Sequence, residues 1–186
     1  MLLALFLIPV KTFTRYEIID EMRYNIIDDY TVLASNTDWK YTGDIVVPQK
    51  VTASDGKKYP VTALEEGCFR DCKTVTSVLL PSSITKIGEY CFCGCIHLQR
   101  VNIPSSVTSL GKSTFSGCSS LTEIHLPRHL TSLGYACFAR CCSIKNIELP
   151  PYVEYLGKFC FSGCTSLEGI TIPSSVTCIE DQCFYG

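Results

Sequence analysis

The sequence has no apolar run long enough to cross a membrane as a helix, and no cluster of basic residues. Its longest hydrophobic stretch, residues 1–10 (MLLALFLIPV), is half of the roughly 20 apolar residues that a spanning helix needs. A formal net charge of −2 spread over 186 residues leaves nucleic-acid binding without an electrostatic footprint. Nucleotide binding fails on a missing glycine. Leu110-Gly111-Lys112-Ser113-Thr114 resembles the tail of a phosphate loop, but the residue five before Gly111 is Ser106, and that loop requires glycine there. No second cysteine pair converges with Cys91-x-Cys93-x-Cys95 at metal-site spacing, and His97 is the only imidazole nearby, so no metal is expected. None of the many serines stands in a recognisable relation to a general base. The expectation is a protein that is not an enzyme and carries no cofactor.

What the chain has instead is repetition. Pro81, Pro104, Pro127, Pro150 and Pro173 lie 23 residues apart, an interval that marks one supersecondary unit stacked on copies of itself. Counting each proline as position one, aliphatic residues hold position four (Ile84, Val107, Leu130, Val153, Val176) and position seven (Ile87, Leu110, Leu133, Leu156, Ile179). Phenylalanine holds position twelve at Phe92, Phe115, Phe138, Phe161 and Phe184, with Phe69 one unit earlier. Position eighteen is Val75, Leu98, Leu121, Ile144 and Leu167, followed by apolar residues at twenty-one and twenty-three.

The end of each unit, as in Leu121-Thr122-Glu123-Ile124-His125-Leu126-Pro127, alternates as a half-buried strand does, and proline is tolerated at the strand's end. Glycine at position eight (Gly88, Gly111, Gly134, Gly157) precedes a segment with room for one turn of α or 3₁₀ helix. Strands stacked ~4.8 Å apart then give a parallel sheet on one side and a row of short helical turns on the other. The fold class is an α/β repeat solenoid.

Thirteen cysteines fall into two ladders and three strays. Cys72, Cys95, Cys118, Cys141 and Cys164 hold position fifteen; Cys68, Cys91, Cys137, Cys160 and Cys183 hold position eleven, where Thr114 interrupts. Equivalent residues on neighbouring rungs have nearly parallel Cα–Cβ bonds, about 4.8 Å apart, whereas a disulfide wants about 3.8 Å between Cβ atoms. Buried free thiols are expected for most, and Cys93, Cys142 and Cys178 are the exposed ones.

Upstream, residues 1–10 suit the apolar core of a secretory signal that ends near residue 14, although a basic leader is missing; a buried strand is the alternative. Residues 15–47 read as a β cap over the open end of the stack. Tyr16 and Ile18, the run from Arg23 to Ile27, and the run from Tyr30 to Leu33 are separated by Asp20-Glu21 and Asp28-Asp29, which makes short antiparallel strands. Trp39, the only tryptophan, and Tyr41 are placed to pack on the first rung; a ligand contact is the other reading of Trp39. Ile45-Val46-Val47-Pro48 looks like a first copy of Val78-Leu79-Leu80-Pro81, and Ser54-Asp55-Gly56-Lys57 signals a protruding hairpin or loop. The repeats then occupy 48–186. The last one stops at Cys183-Phe184-Tyr185-Gly186 without its strand, read either as a truncated array or as a natural end.

The frame L-x-x-I-x-[IL]-P-x-x-[VIL]-x-x-[IL]-G-x-x-x-F-x-x-C resembles the BspA-like leucine-rich repeats of bacterial and protozoan surface proteins. The residues from Arg23 to Ile27, from Tyr41 to Asp44 and from Asp55 to Val61 resemble the N-terminal caps of such proteins from Bacteroides-like gut bacteria. Position eleven, commonly alanine in the family, is mostly cysteine here. The resemblance spans roughly residues 15–186. It implies a right-handed leucine-rich-repeat coil, secreted or held at the cell surface, and a family with adhesin-like members that bind host matrix proteins.

The candidate partner-binding face is the outward row at positions twenty and twenty-two: Arg100, Asn102, Glu123, His125, Asn146, Glu148 and Thr171. These positions differ from unit to unit while the inward ones barely change, so packing does not constrain them and they can display a composite surface to a protein or glycan ligand. The loop around residues 50–59 is a second contact zone. A set of spacer repeats in a larger surface protein, with no ligand of its own, is the alternative.

Overall fold

A computed structural model describes residues 15–27, 30–33 and 41–186; the expected leader, residues 1–14, and Trp39 lie outside them. In chain order the strands are β1 (Arg15–Ile19), β2 (Met22–Ile27), β3 (Tyr30–Leu33), β4 (Gly43–Val46), β5 (Lys50–Thr52), β6 (Lys58–Leu64), β7 (Val75–Leu79), β8 (Lys86–Ile87), β9 (Arg100–Val101), β10 (Ser109–Leu110), β11 (Ser132–Leu133), β12 (Asn146–Glu148), β13 (Tyr155–Leu156), β14 (Gly169–Thr171) and β15 (Cys178–Ile179).

Each unit makes one rung, and equivalent strands pair in parallel at the interval of the repeat. The face sheet is built from the strands before the prolines: β4 pairs with β7, β7 with β9, and β12 with β14. A second wall, at positions six and seven, pairs β6 with β8 and, in a separate sheet, β10 with β11, β11 with β13 and β13 with β15. β4 opposes Ile45 to Val78 and Val46 to Leu79, as the match between the two sequences predicts.

The third wall is not helical. Among the described residues there is no α or 3₁₀ helix, and the reason lies in where the amides point. Those of Tyr90, Phe92 and Gly94 donate to the carbonyls of Lys112, Thr114 and Ser116 on the next rung, each at 2.8 Å. Only the intervening amides close turns three residues back, Cys93 to Tyr90 at 3.0 Å and Cys95 to Phe92 at 3.1 Å. A helix would need all of them directed along its own axis. The alternation goes with left-handed residues at positions ten and fourteen, such as Tyr90 (φ 54°) and Gly94 (φ 75°) or Ser113 (φ 51°) and Gly117 (φ 77°). Glycine takes that conformation without strain; elsewhere it falls on Asp71 and Arg140, at a cost of about 1–2 kcal/mol each, offset by the bonds between rungs.

The core is a stack of like on like. Rings of Phe69, Phe92, Phe115, Phe138, Phe161 and Phe184 lie 5.1 to 5.7 Å apart and within 6° of parallel. Tyr41 closes the stack with its ring 5.1 Å from Phe69, tilted by 54°. The thiols of Cys95, Cys118, Cys141 and Cys164 each donate to the carbonyl of the phenylalanine one rung back, at 3.0 to 3.1 Å. That carbonyl also accepts the amide of its own rung's cysteine, so both its lone pairs are used and the position suits a small side chain with one donor. All thirteen cysteines are free thiols; ten are buried, and Cys93, Cys142 and Cys178 are the partly exposed ones. Position eight is glycine because neighbouring backbones touch there: a Cβ on Gly157 would sit 2.6 Å from the carbonyl carbon of Gly134.

At the N-terminal end β1, β2 and β3 form an antiparallel meander, and β3 runs parallel to β6. Tyr24 is buried beneath it, and Asn25 donates through Nδ2 to Glu65 Oε1 at 3.2 Å. Residues 50–59 form the hairpin that the turn signal predicts, β5 against β6, tied to β1 by Glu17, which accepts from Ser54 N–H at 2.8 Å and from Ser54 Oγ at 2.6 Å.

Candidate functional site

Alternation carries every second residue before the proline to the outside. All seven candidates are exposed: Arg100 and Asn102 on or just after β9, Glu123 and His125 on the next rung, Asn146 and Glu148 on β12, and Thr171 on β14. Register stacks them, with Asn146 beside Gly169 and Glu148 beside Thr171. They line three contiguous hollows. One of about 450 Å³ holds Arg100, Asn102, Glu123 and His125 beside Ser77 and Leu79. One of about 720 Å³ holds Glu123, His125, Asn146 and Glu148. A third, of about 790 Å³, holds Asn146, Glu148 and Thr171.

The candidates differ in what they already do. Asn102 accepts from Leu80 N–H through Oδ1 at 2.6 Å and donates to the Leu80 carbonyl through Nδ2 at 2.8 Å. It replaces a stretch of backbone ladder, a structural duty that its outward position conceals. His125 Nε2 lies 3.3 Å from Glu123 Oε1; both side chains are largely solvated, and a contact of that kind contributes little to stability. The hairpin of residues 50–59 belongs with the sheet of β6 and β8, whereas the face is built on β4, β7 and β9. The two expected contact zones therefore lie on different sheets.

Further residues join the face. Asp44 accepts from Thr76 Oγ1 at 2.7 Å and Ser77 Oγ at 2.6 Å, and these hydrogen bonds, with Arg100 nearby, hold its carboxyl below the usual range. Val46 and Leu79 beside it are more than half exposed. Lys145 and Arg128 line the 720 Å³ cleft. Lys145 sits at position nineteen, which faces outward together with position twenty, so strict alternation misses it. Among the described residues no group of three or more His, Cys, Asp or Glu side chains is arranged to hold a metal ion, and no helix is long and apolar enough to cross a membrane.

Residues 60–186 match the family model for the BspA type leucine rich repeat region, in 6 copies. A leucine-rich repeat protein from Bacteroides ovatus superposes with a TM-score of 0.78 at 34% identity, over 86% of this chain and 42% of that one. A leucine rich cell surface protein from Faecalibacterium prausnitzii gives 0.82 at 30% identity, over 92% and 46%. The T. pallidum leucine rich repeat protein gives 0.70 at 26% identity, over 87% and 69%. No curated protein matches significantly. The chain thus spans less than half the length of the first two structures it resembles.

Proposed function

The chain belongs to the BspA-type leucine-rich-repeat family, and on that premise we propose that it is an exported binding module whose strand face holds a protein partner at the cell surface. The family and fold are those of repeat proteins rather than enzymes. One observation carries the reading: residues that differ from rung to rung, among them Arg100, Glu123, His125, Asn146 and Glu148, are gathered into contiguous hollows, above inward positions that repeat almost unchanged. A scaffold kept uniform inside and diversified on one face is suited to recognition. The Faecalibacterium neighbour is described as a cell surface protein, which supports the same address here, with residues 1–14 as the export leader. The whole protein's partner, a host matrix protein or another surface component, belongs to this proposal.

The test is a binding screen against matrix proteins, bacterial surface proteins and a glycan array, run with the wild type and with a variant carrying Arg100→Ala, Glu123→Ala and His125→Ala. A ligand that binds the wild type and loses at least tenfold in affinity for the variant supports the module. Equal, negligible binding by both forms leaves the spacer reading in its place.

A further inference from the structure

We propose that the rung of residues 150–156 carries a second binding site, on the second wall, for an arginine side chain of a partner protein. The site is separate from the strand face and independent of what that face holds. At positions three and five, beside the second wall, the units repeat small hydroxyl residues: Ser83, Ser106 and Ser175, and Thr85, Thr108, Thr131 and Thr177. Most of those hydroxyls tie one rung to the rung before. Ser83 and Ser175 donate to the carbonyls of Val61 and Val153, each at 2.7 Å, and Ser106 donates to that of Ile84. Thr85, Thr131 and Thr177 donate to the carbonyls of Thr62, Thr108 and Glu154 at 3.1 to 3.3 Å. The rung of residues 150–156 has Tyr152 and Glu154 in these places, with Tyr155 at position six. Among the described residues neither Tyr152 nor Glu154 makes a side-chain hydrogen bond. Two ties between rungs are given up there, and a local break in a repeated rule is expected where function overrides packing.

The surface that replaces them is aromatic and acidic. Tyr152 is 48% exposed and Tyr155 37%. The His129 ring stacks on one face of Tyr152, 5.7 Å away and 17° from parallel, so the opposite face looks along the stack toward Ser175, which is too short to cover it. Pairing of β13 sets Tyr155 between Ser132 and Cys178, which are also small. Glu154 is exposed between the two tyrosines, and Glu180 stands where the four preceding units have glycine. Partial burial, and then the charge of nearby Glu180, hold the Tyr155 phenol above its ordinary range. The bases of these rungs are turned elsewhere: Lys158 lies over Phe159, 5.2 Å from the ring centre, and Arg128 lines the cleft on the strand face. Other outer rings are covered by the chain's own cations. Arg23 lies over Tyr16 at 4.6 Å, Arg70 over Tyr90 at 5.4 Å, and Lys112 reaches Tyr90 and Tyr135 at 5.4 and 5.6 Å. Among the described residues Tyr152 and Tyr155 carry no such cation, and carboxylates flank them. A guanidinium from outside completes the arrangement: its plane stacks on a phenol ring while its N–H fork meets a carboxylate. An ammonium offers no plane, and Glu154 with Glu180 opposes a polyanionic chain.

The probe is an acetylated, amidated Gly-Arg-Gly peptide, titrated into the full chain at physiological salt and followed by the NMR shifts of the amides from Tyr152 to Leu156. A second peptide carries citrulline, which keeps the shape of arginine and loses its charge. Arginine is expected to bind about tenfold tighter than citrulline. Tyr152→Ala with Tyr155→Ala weakens the arginine peptide about tenfold, and Glu154→Gln with Glu180→Gln about fivefold. The strand-face variant, Arg100→Ala with Glu123→Ala and His125→Ala, binds it as the wild type does. Restoring the residues of the other units, Tyr152→Ser with Glu154→Thr, separates binding from packing. That variant loses about tenfold in affinity while its urea midpoint stays level or rises, because both hydroxyls regain carbonyls of the preceding rung. Citrulline bound as tightly as arginine, binding lost only in the strand-face variant, a midpoint lowered by the restored residues, or a neutral oligosaccharide held by the tyrosines in the peptide's place would each overturn the site.

Discussion

Alkaline conditions are expected to unfold this solenoid near pH 10, because its core is lined by thiols that must stay protonated. Cys68, Cys95, Cys118, Cys137, Cys141, Cys160 and Cys164 are all driven above the ordinary thiol range, with burial the largest cause in each. Cys164, nearest the C-terminal end, reaches about 11. In the unfolded chain a thiol titrates near ~8.5. Below that value both states hold their protons and stability is complete. As pH rises through the unfolded value the denatured chain releases protons that the folded chain retains, and stability falls until the folded values are reached. Each thiol then removes about 1.4 kcal/mol per pH unit. Seven of them acting together remove roughly 10 kcal/mol within about one unit, comparable to the whole stability of an ordinary domain. Tyr24 and Tyr41, raised chiefly by burial, act in the same direction at still higher pH. Urea unfolding followed by circular dichroism from pH 7 to 10.5, with a reductant present, measures the slope. Replacing two ladder thiols, Cys118→Ala with Cys141→Ala, lowers stability at pH 7 but flattens the alkaline slope by about 2.7 kcal/mol per unit. Identical slopes for the two proteins, or full stability retained at pH 10, would refute a core of protonated, unbridged thiols.

Two further substitutions separate packing from exposure. Gly157→Ala places a Cβ 2.6 Å from the backbone of the preceding rung, whereas Gly169→Ala meets nothing within 4 Å. The first is expected to cost about 1–3 kcal/mol and the second to change stability by less than about 0.5 kcal/mol, as read from urea midpoints. Asn102→Ala deprives Leu80 of both side-chain hydrogen bonds and is expected to cost about 1–3 kcal/mol; a midpoint equal to the wild type would mean that water replaces the amide.

Much of the interior was legible because each inward position is written five or six times. Phe92, Phe115 and Phe138 at a fixed interval can only stack if the rungs stack, and the thiols at position fifteen follow from the same frame. The third wall was misread as helical for a local reason. Glycine at position fourteen, Gly94, Gly117 and Gly163, hints at left-handed backbone, but position ten is glycine once, at Gly67, and otherwise carries Tyr90, Ser113, Ala136, Phe159 and Gln182, none of which announces it. Bonds between rungs impose that conformation against the residues' own preference, and a single unit's sequence does not display bonds to its neighbour. The face was found as a row, since alternation identifies it, yet its divisions were hidden: Asn102 looks like any other outward polar residue, and Glu123-Ile124-His125 alternates like the paired strands on either side.

That the face strand of residues 121–127 persists unpaired between β9 and β12 follows from the three-sided build of each coil. Around the gap the third wall continues on both sides, and the second wall continues toward the following rung, although β8 and β10 do not pair. Thr131 N–H donates to the Thr108 carbonyl and Gly134 N–H to the Leu110 carbonyl, both at 2.8 Å, while Phe115 N–H reaches the Cys137 carbonyl at 2.8 Å. The rings of Phe115 and Phe138 remain 5.3 Å apart, and Leu121 and Ile124 stay buried beneath the opening. Register is therefore fixed by the third wall and the core, with the second wall added toward the following rung, and the face strand is relieved of that duty at this rung. The energetics of the array and the chemistry of its face are separable, so side chains and even backbone bonds on the face can change without unseating the coil. The same separation makes the face testable: Lys145 and Glu148 can be altered with little expected loss of stability, whereas Asn102, also exposed but bonded to the Leu80 backbone, cannot.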